Sequence, residues 1–132
     1  MERLILDTTI LVAAERDKLP LDEVIADDDD VALAAVTAAE LLVGVELADR
    51  RRHANRAAFV ERILTVLPVE TYDLEVARAH AVLLAHVRRS GRPRGAHDLL
   101  IAATAVSRRR IVVTADPAGF ENLPEVSLRT AA

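Results

Sequence analysis

The sequence predicts an α/β domain built around a mostly parallel sheet, and two observations lead to this prediction. Short apolar runs alternate along the chain with longer stretches of helical periodicity, which is the order of elements in parallel α/β folds. The apolar runs are also continuous, as expected of strands that helices cover on both faces. We therefore expect a three-layer α/β/α architecture, and the length of 132 residues indicates one domain over residues 1–132.

Five apolar runs are predicted to form the strands of this sheet. Arg3–Leu6 and Ile111–Thr114 have the clearest patterns, because each is short, apolar and followed by polar residues. The other three predicted strands are Val31–Ala35, Val66–Val69 and Val126–Leu128.

Helical patterns occupy the segments between these runs. The longest is Asp73–Ser90, which opens on a typical N-cap residue and stops just before Gly91. The segment His97–Ser107 is nearly all apolar, so we expect it to be buried. The remaining predicted helices are Thr8–Ala14, Leu21–Ile25, Thr37–Ala48 and Asn55–Leu64.

The composition excludes several classes of function. The chain has no cysteine, which rules out disulfide scaffolds, zinc ribbons and thiol catalysis. Neither a signal peptide nor an apolar run long enough to span a membrane is visible, so we expect a cytoplasmic protein without membrane contact. The net charge of −4 argues against binding nucleic acid by bulk charge alone, but it permits an enzyme that brings its own cations.

Four carboxylates stand at positions that a local explanation covers when each is taken alone. Asp7 could be the N-cap of the first helix, and Asp116 could belong to an Asp-Pro turn. Glu40 stands three residues after Thr37, as in a capping box, and Asp98 could complement a helix dipole. For none of the four does the local explanation exclude a functional one.

Taken together, the four carboxylates share one edge of the predicted sheet. Asp7 and Asp116 follow strands, and Glu40 and Asp98 begin helices at the same edge. Four neighbouring carboxylates repel one another unless a cation neutralises them, and Mg²⁺ or Mn²⁺ prefers oxygen ligands. A metal at this edge would activate water for hydrolysis of a phosphodiester, and no protein nucleophile would be required.

Six spaced blocks of the sequence resemble PIN domains, most closely the VapC-type toxins of toxin–antitoxin pairs. The blocks follow the family order over nearly the whole chain, and the one around Asp98 is the most specific. They are Leu6-Asp7-Thr8, Ala39-Glu40-Leu41-Leu42-Val43-Gly44, Val66-Leu67-Pro68-Val69, Gly91-Arg92-Pro93, His97-Asp98-Leu99-Leu100-Ile101-Ala102-Ala103-Thr104 and Val113-Thr114-Ala115-Asp116.

The resemblance implies a five-stranded parallel sheet between helices and a Mg²⁺- or Mn²⁺-dependent endoribonuclease, the toxin of a pair inhibited by a small antitoxin. It carries the acidic quartet of the family onto the four carboxylates and the strand-end hydroxyl of the family onto Thr114. Arg92 and Arg94 are candidates for contacts with RNA phosphates. Arg94 occupies a position that is more often apolar in the family, and the chain lacks the usual aromatic tail.

The expected partners are the RNA substrate, a second copy of the chain in a homodimer, and an antitoxin with an apolar helix and a basic tail. The antitoxin follows partly from the resemblance and partly from composition, since 52% of the residues are hydrophobic but 2% are aromatic. Aliphatic surface on Thr8–Ala14, Leu21–Ile25 and Thr37–Ala48 offers a groove for such a helix.

Two other classes of protein with clustered aspartates on an α/β sheet fit the sequence poorly. A phospho-acceptor receiver needs a lysine after the last strand, and the only lysine is Lys18, in an early loop. A phosphatase with an aspartyl nucleophile needs an aspartate two residues after Asp7, where Thr9 stands. Two alternatives stay open, namely a housekeeping RNA-processing nuclease without an antitoxin and a catalytically silent binding module of the same fold.

Overall fold

The sheet of the computed structural model, which describes residues 1–131, has five strands that all run parallel. Their order across the sheet is β3-β2-β1-β4-β5, so the first strand lies in the middle. The strands are β1 (Arg3–Leu6), β2 (Asp30–Ala34), β3 (Val69–Glu70), β4 (Ile111–Thr114) and β5 (Leu128–Thr130). The predicted parallel α/β class is confirmed.

Within residues 1–131, six α-helices and one short 3-10 turn connect the strands. Asp73 caps the longest helix through a hydrogen bond from Val76 N, and Gly91 ends it in the left-handed conformation, as predicted. The helices are α1 (Thr8–Glu15), α2 (Leu21–Val24), α3 (Ala35–Glu46), α4 (His53–Val66), α5 (Leu74–Ser90) and α6 (Ala96–Arg108), and the turn is Pro117–Gly119. In the part of the chain that the structure describes, each helix is too short or too polar to cross a bilayer.

The core lies in two clusters, one on each face of the sheet. Successive side chains of β1 point to opposite faces of the sheet, so Ile5 belongs to one cluster and Leu4 and Leu6 to the other. Helices α5 and α6 cover the Ile5 face, and α1, α3 and α4 cover the opposite face. This is the predicted three-layer arrangement. The carboxyl ends of β1 and β4 lie side by side at one edge of the sheet.

Two of the predicted strands are placed wrongly. The predicted strand Val66–Val69 begins inside α4, because Val60, Ile63 and Val66 continue the helical pattern until Pro68 prevents the helix from going further. The predicted strand Val126–Leu128 is observed at Leu128–Thr130. The hydrogen-bonding register with β4 decides this position, and not the apolar character of the residues.

The predicted capping box of Thr37 and Glu40 is also wrong. Strand β2 ends at Ala34 and the chain turns at once into α3, so Ala34 is the N-cap and Thr37 lies inside the helix. Thr37 is fully buried, and its hydroxyl oxygen has no hydrogen-bond partner in the described part of the chain. The Glu40 carboxylate is therefore free for contacts with other helices. The remaining helix bounds differ from the predicted ones by one or two residues.

Candidate metal centre

Asp7 lies directly after β1 and is almost fully buried, with 3% of its surface exposed. It is the N-cap of α1, since Oδ1 accepts a hydrogen bond of 3.3 Å from Ile10 N. Oδ1 also accepts a hydrogen bond of 2.5 Å from the Thr9 hydroxyl, and Oδ2 accepts one of 2.5 Å from the Thr114 hydroxyl. Burial raises the pKa of Asp7, and these hydrogen bonds partly offset the rise. The cap and the site therefore use the same carboxylate.

Thr9 also belongs to this site, although it was not among the residues predicted from the sequence. Its hydroxyl accepts a hydrogen bond of 3.0 Å from Ala115 N and lies 3.3 Å from the Thr114 hydroxyl. Thr9 thus ties the start of α1 to the end of β4 while it orients Asp7. A threonine in the first turn of a helix is too common for this role to be read from the sequence.

Glu40 lies on α3, is about one-third exposed and contacts two other helices. Its Oε1 accepts a hydrogen bond of 3.0 Å from the Thr8 hydroxyl at the start of α1. Its Oε2 lies 3.3 Å from Nδ1 of His97 at the start of α6, a side chain that is 59% exposed. These contacts hold the carboxylate at the sheet edge where Asp7 lies.

Asp98 lies in the first turn of α6, close to the three other carboxylates. Burial raises its pKa first, and the charges of Asp7, Glu40 and Asp116 raise it further. The nearby His97 acts in the opposite direction. The structure thus brings the four predicted carboxylates into one electrostatic neighbourhood.

Asp116 is the most open of the four. It is exposed, and it stands between β4 and the turn Pro117–Gly119. Its backbone N donates a hydrogen bond of 3.0 Å to the Thr114 hydroxyl. Pro117 stands at the start of the turn, as predicted, although the helix that it opens is only one 3-10 turn long.

The chemistry of these donors fits a hard divalent cation, since all four are carboxylates and their mutual repulsion favours a positive ion. Within residues 1–131, however, no group of three or more acidic or histidine side chains lies close enough to hold one ion. Sharing one ion therefore requires these side chains to come closer together than they lie here.

The three residues that the sequence suggested for substrate contact occupy different environments. Thr114 is fully buried and donates to Asp7, so we place it with the residues that hold the site and not with those that face a substrate. Arg94 is partly buried, and its Nη1 donates a hydrogen bond of 3.5 Å to the carbonyl of Ala118, in the turn after Asp116. Arg92 is exposed in the preceding loop.

Comparison with known proteins shows the family to which the chain belongs. The model of the PIN domain matches residues 4–126. Ribonuclease VapC5 of Mycobacterium tuberculosis is 41% identical over 115 residues, which cover 85% of this chain and 82% of that protein. A tRNA(fMet)-specific endonuclease VapC of Salmonella typhimurium is 34% identical over 98 residues, 73% of this chain and 71% of its own.

A solved structure supports the same relationship. The toxin–antitoxin complex VapBC-5 of Mycobacterium tuberculosis contains a chain that superposes with a TM-score of 0.83 at 34% identity, covering 99% of this chain and all of the other. The resemblance noted from the sequence blocks is therefore confirmed. The chain belongs to the PIN-domain family and, within it, to the VapC-type ribonucleases.

Proposed function

We propose that the chain is an endoribonuclease that uses Mg²⁺ or Mn²⁺ to cleave RNA phosphodiester bonds with water. The observation that carries the proposal is the position of Asp98, a partly buried carboxylate whose pKa is raised by burial and then by the charges of three other carboxylates. At neutral pH such a cluster favours a divalent cation, because the ion replaces repulsion by attraction. The VapC ribonucleases among the relatives support the reaction class.

The position of each carboxylate suggests the side from which it would bind the cation. Asp7 and Asp98 would hold the cation from the buried side, and Glu40 and Asp116 would complete the set from the open side. When bound, the cation lowers the pKa of a water and neutralises the charge that develops at phosphorus.

The remaining side chains would orient the carboxylates and the substrate. Thr9 and Thr114 keep both oxygens of Asp7 in place through their hydrogen bonds. Arg94, beside the turn after Asp116, would contact a phosphate of the RNA backbone, and Arg92 would do so from the adjacent loop.

The test is cleavage of RNA by the purified chain with Mg²⁺ or Mn²⁺, compared with a chelator, on a set of substrates that includes initiator tRNA. We expect products with a 5′-phosphate and a 3′-hydroxyl, and no cleavage by Asp7→Asn or Asp98→Asn. A 2′,3′-cyclic phosphate product would contradict the proposal, because it indicates attack by the hydroxyl of the RNA itself. Absence of cleavage with either metal would favour the silent binding module.

An apolar groove beside the site supports a second part of the proposal, that the chain is a toxin held by an antitoxin. The groove runs between α1, α3 and α4, and Thr8 and Glu40 stand at one end of it. Its apolar lining consists of Leu11, Val12, Leu41, Phe59 and Val60. An apolar helix fits such a groove, and a basic tail would reach Glu40 and form charge-assisted hydrogen bonds with the carboxylates.

Expression of the chain alone should therefore arrest growth, and co-expression with its small partner should relieve the arrest. Removing the basic tail of the partner should restore part of the cleavage while its helix still binds. If the chain is harmless in cells, active in vitro and purifies without a partner, the housekeeping nuclease becomes the better interpretation.

We also propose that the chain forms a homodimer. Helices α3 and α5 and the segment before α5 leave large apolar side chains exposed, which a second copy would cover. They are Leu42, Val43, Leu47, Tyr72, Leu74 and Val82. Analytical ultracentrifugation should give the mass of a dimer, and a monomer at micromolar concentration would remove this part of the proposal.

A further inference from the structure

The carboxylate of Asp98 lies between two glycines, Gly95 and Gly119. A Cβ added to Gly119 would lie 2.8 Å from Asp98 Cγ and still closer to Oδ2, which is closer than real Cβ atoms approach. A Cβ added to Gly95 would lie 3.4 Å from the same Oδ2, which is ordinary van der Waals contact. The space occupied by the Asp98 carboxylate therefore exists because residue 119 has no side chain.

The backbone does not require glycine at position 119. The glycine with a positive φ in the described chain is Gly91, and Gly119 lies in a 3-10 turn that alanine also adopts. A substitution at Gly119 would therefore act through the contact with Asp98 and not through backbone strain.

The turn that carries Gly119 is anchored and cannot easily move away from α6. Phe120, the next residue, is 2% exposed and packs in the core with Leu99 and Ile101 of α6. Its backbone N donates a hydrogen bond of 2.9 Å to the carbonyl of Pro117, and this bond closes the turn. When a methyl group is added at Gly119, the Asp98 side chain is the part that must move.

We propose that Gly119 is a positioning residue of the metal centre: its missing side chain provides the space that holds the Asp98 carboxylate beside the loop of Asp116. This inference rests on the proposed metal-dependent function. Gly119→Ala should weaken metal binding by about 10- to 100-fold, as losses of residues that orient metal ligands do. Gly95→Ala adds the same methyl group on the other side of the carboxylate and should have a much smaller effect.

The experiment is calorimetric titration of Mn²⁺ into the wild type, Gly119→Ala, Gly95→Ala, Asp98→Ala and the double variant Asp98→Ala/Gly119→Ala. We expect the large loss of affinity in Gly119→Ala alone among the glycine variants. In the Asp98→Ala background, Gly119→Ala should cause no further loss, because the side chain that it displaces is absent.

The melting temperature of each metal-free variant gives a second readout. If Gly119→Ala folds poorly, the double variant should recover the melting temperature of Asp98→Ala, since the clash is with that side chain. Failure of this recovery would overturn the inference, as would Mn²⁺ affinity in Gly119→Ala equal to or tighter than that of the wild type. A wild type that does not bind Mn²⁺ would instead remove the proposed function on which the inference rests.

Discussion

The hydroxyl of Thr114 donates a hydrogen bond of 2.5 Å to Oδ2 of Asp7 and so connects the ends of the neighbouring strands β4 and β1. Both residues are buried, with exposures of 0% and 3%. Because burial disfavours a charged carboxylate, this hydrogen bond favours the ionised form that a cation needs. Thr114 therefore influences both the position and the charge of Asp7.

Replacing Thr114→Val should destabilise the fold. The substitution keeps the shape but leaves Oδ2 of a buried carboxylate without its donor, which costs about 1–3 kcal/mol of unfolding free energy. Urea denaturation measures the change, and Thr114→Ser is the control because it keeps the hydroxyl. Equal stability of the valine and serine variants would show that the hydrogen bond contributes nothing.

Replacing Thr9→Val should raise the Mn²⁺ concentration needed for half-maximal cleavage. Oδ1 of Asp7 loses a donor, and Ala115 N loses its acceptor, so the carboxylate is held less firmly. By comparison with other residues that orient metal ligands, we expect a change of about tenfold or more. Thr9→Ser should behave nearly as the wild type, and a valine variant with normal metal dependence would contradict the role.

The metal-free chain should lose stability as the pH rises above the ordinary carboxyl value of 3.8. The pKa of Asp7 and that of Asp98 are raised in the folded state, so between the unfolded and folded values the folded chain binds more protons. The free energy of unfolding therefore falls with pH until both groups are ionised. Denaturant titrations with a chelator at a series of pH values measure this slope.

Asp98→Asn is the matched variant for this pH dependence. It cannot ionise, so its stability should fall less steeply over the same window, and a slope equal to that of the wild type would contradict the assignment. Asp29 and Asp73 affect stability below this pH window, because their pKa values are lowered in the folded state. Their contribution to the free energy of unfolding is lost as the pH falls through those folded-state pKa values. At neutral pH, Mg²⁺ should restore stability by binding the folded state.

Two neighbouring arginines at the opposite edge of the sheet should contribute very differently to the free energy of unfolding. The guanidinium of Arg110 is buried and donates to the carbonyl of Leu4, to Asp30 and to Glu70. Arg110→Ala removes a donor from each of these carboxylates, but each keeps another arginine as a partner, so the variant should cost about 1–3 kcal/mol of unfolding free energy. The exposed Arg109→Ala should change it by no more than about 0.5 kcal/mol. Similar losses in the two variants would show that the buried ion pairs contribute little.

A larger side chain at Gly44 should block the partner groove. A Cβ there meets only Cδ of Arg56, at 3.9 Å, so Gly44→Leu would extend into the groove without disturbing the backbone. We expect a loss of antitoxin affinity of about tenfold or more, which corresponds to about 1.4 kcal/mol. Gly44→Ala is the control, since it improves helix propensity but stays short. Calorimetric titration with the separately purified partner measures its affinity for each variant. Unchanged affinity for the leucine variant would show that the partner binds elsewhere.

The class of the fold and the edge at which the carboxylates lie follow from local patterns in the sequence. Apolar runs and helical periodicity are local properties, so β1, β4 and α5 could be recognised from residues that are close together in the chain. The parallel direction of the strands then brings Asp7 and Asp116 to the same edge, whatever the details of packing.

The contacts among the side chains at that edge, in contrast, depend on the three-dimensional packing. Thr9 and Thr114 are 105 residues apart, and Asp98 meets Gly119 across two different elements. Such contacts depend on the register between strands, on the rotamers and on the path of the turn after β4, none of which leaves a periodic pattern in the sequence. For the same reason the capping role predicted for Thr37 failed. The N-cap lies at Ala34, three residues before Thr37, and the Thr37 hydroxyl is therefore buried inside the helix.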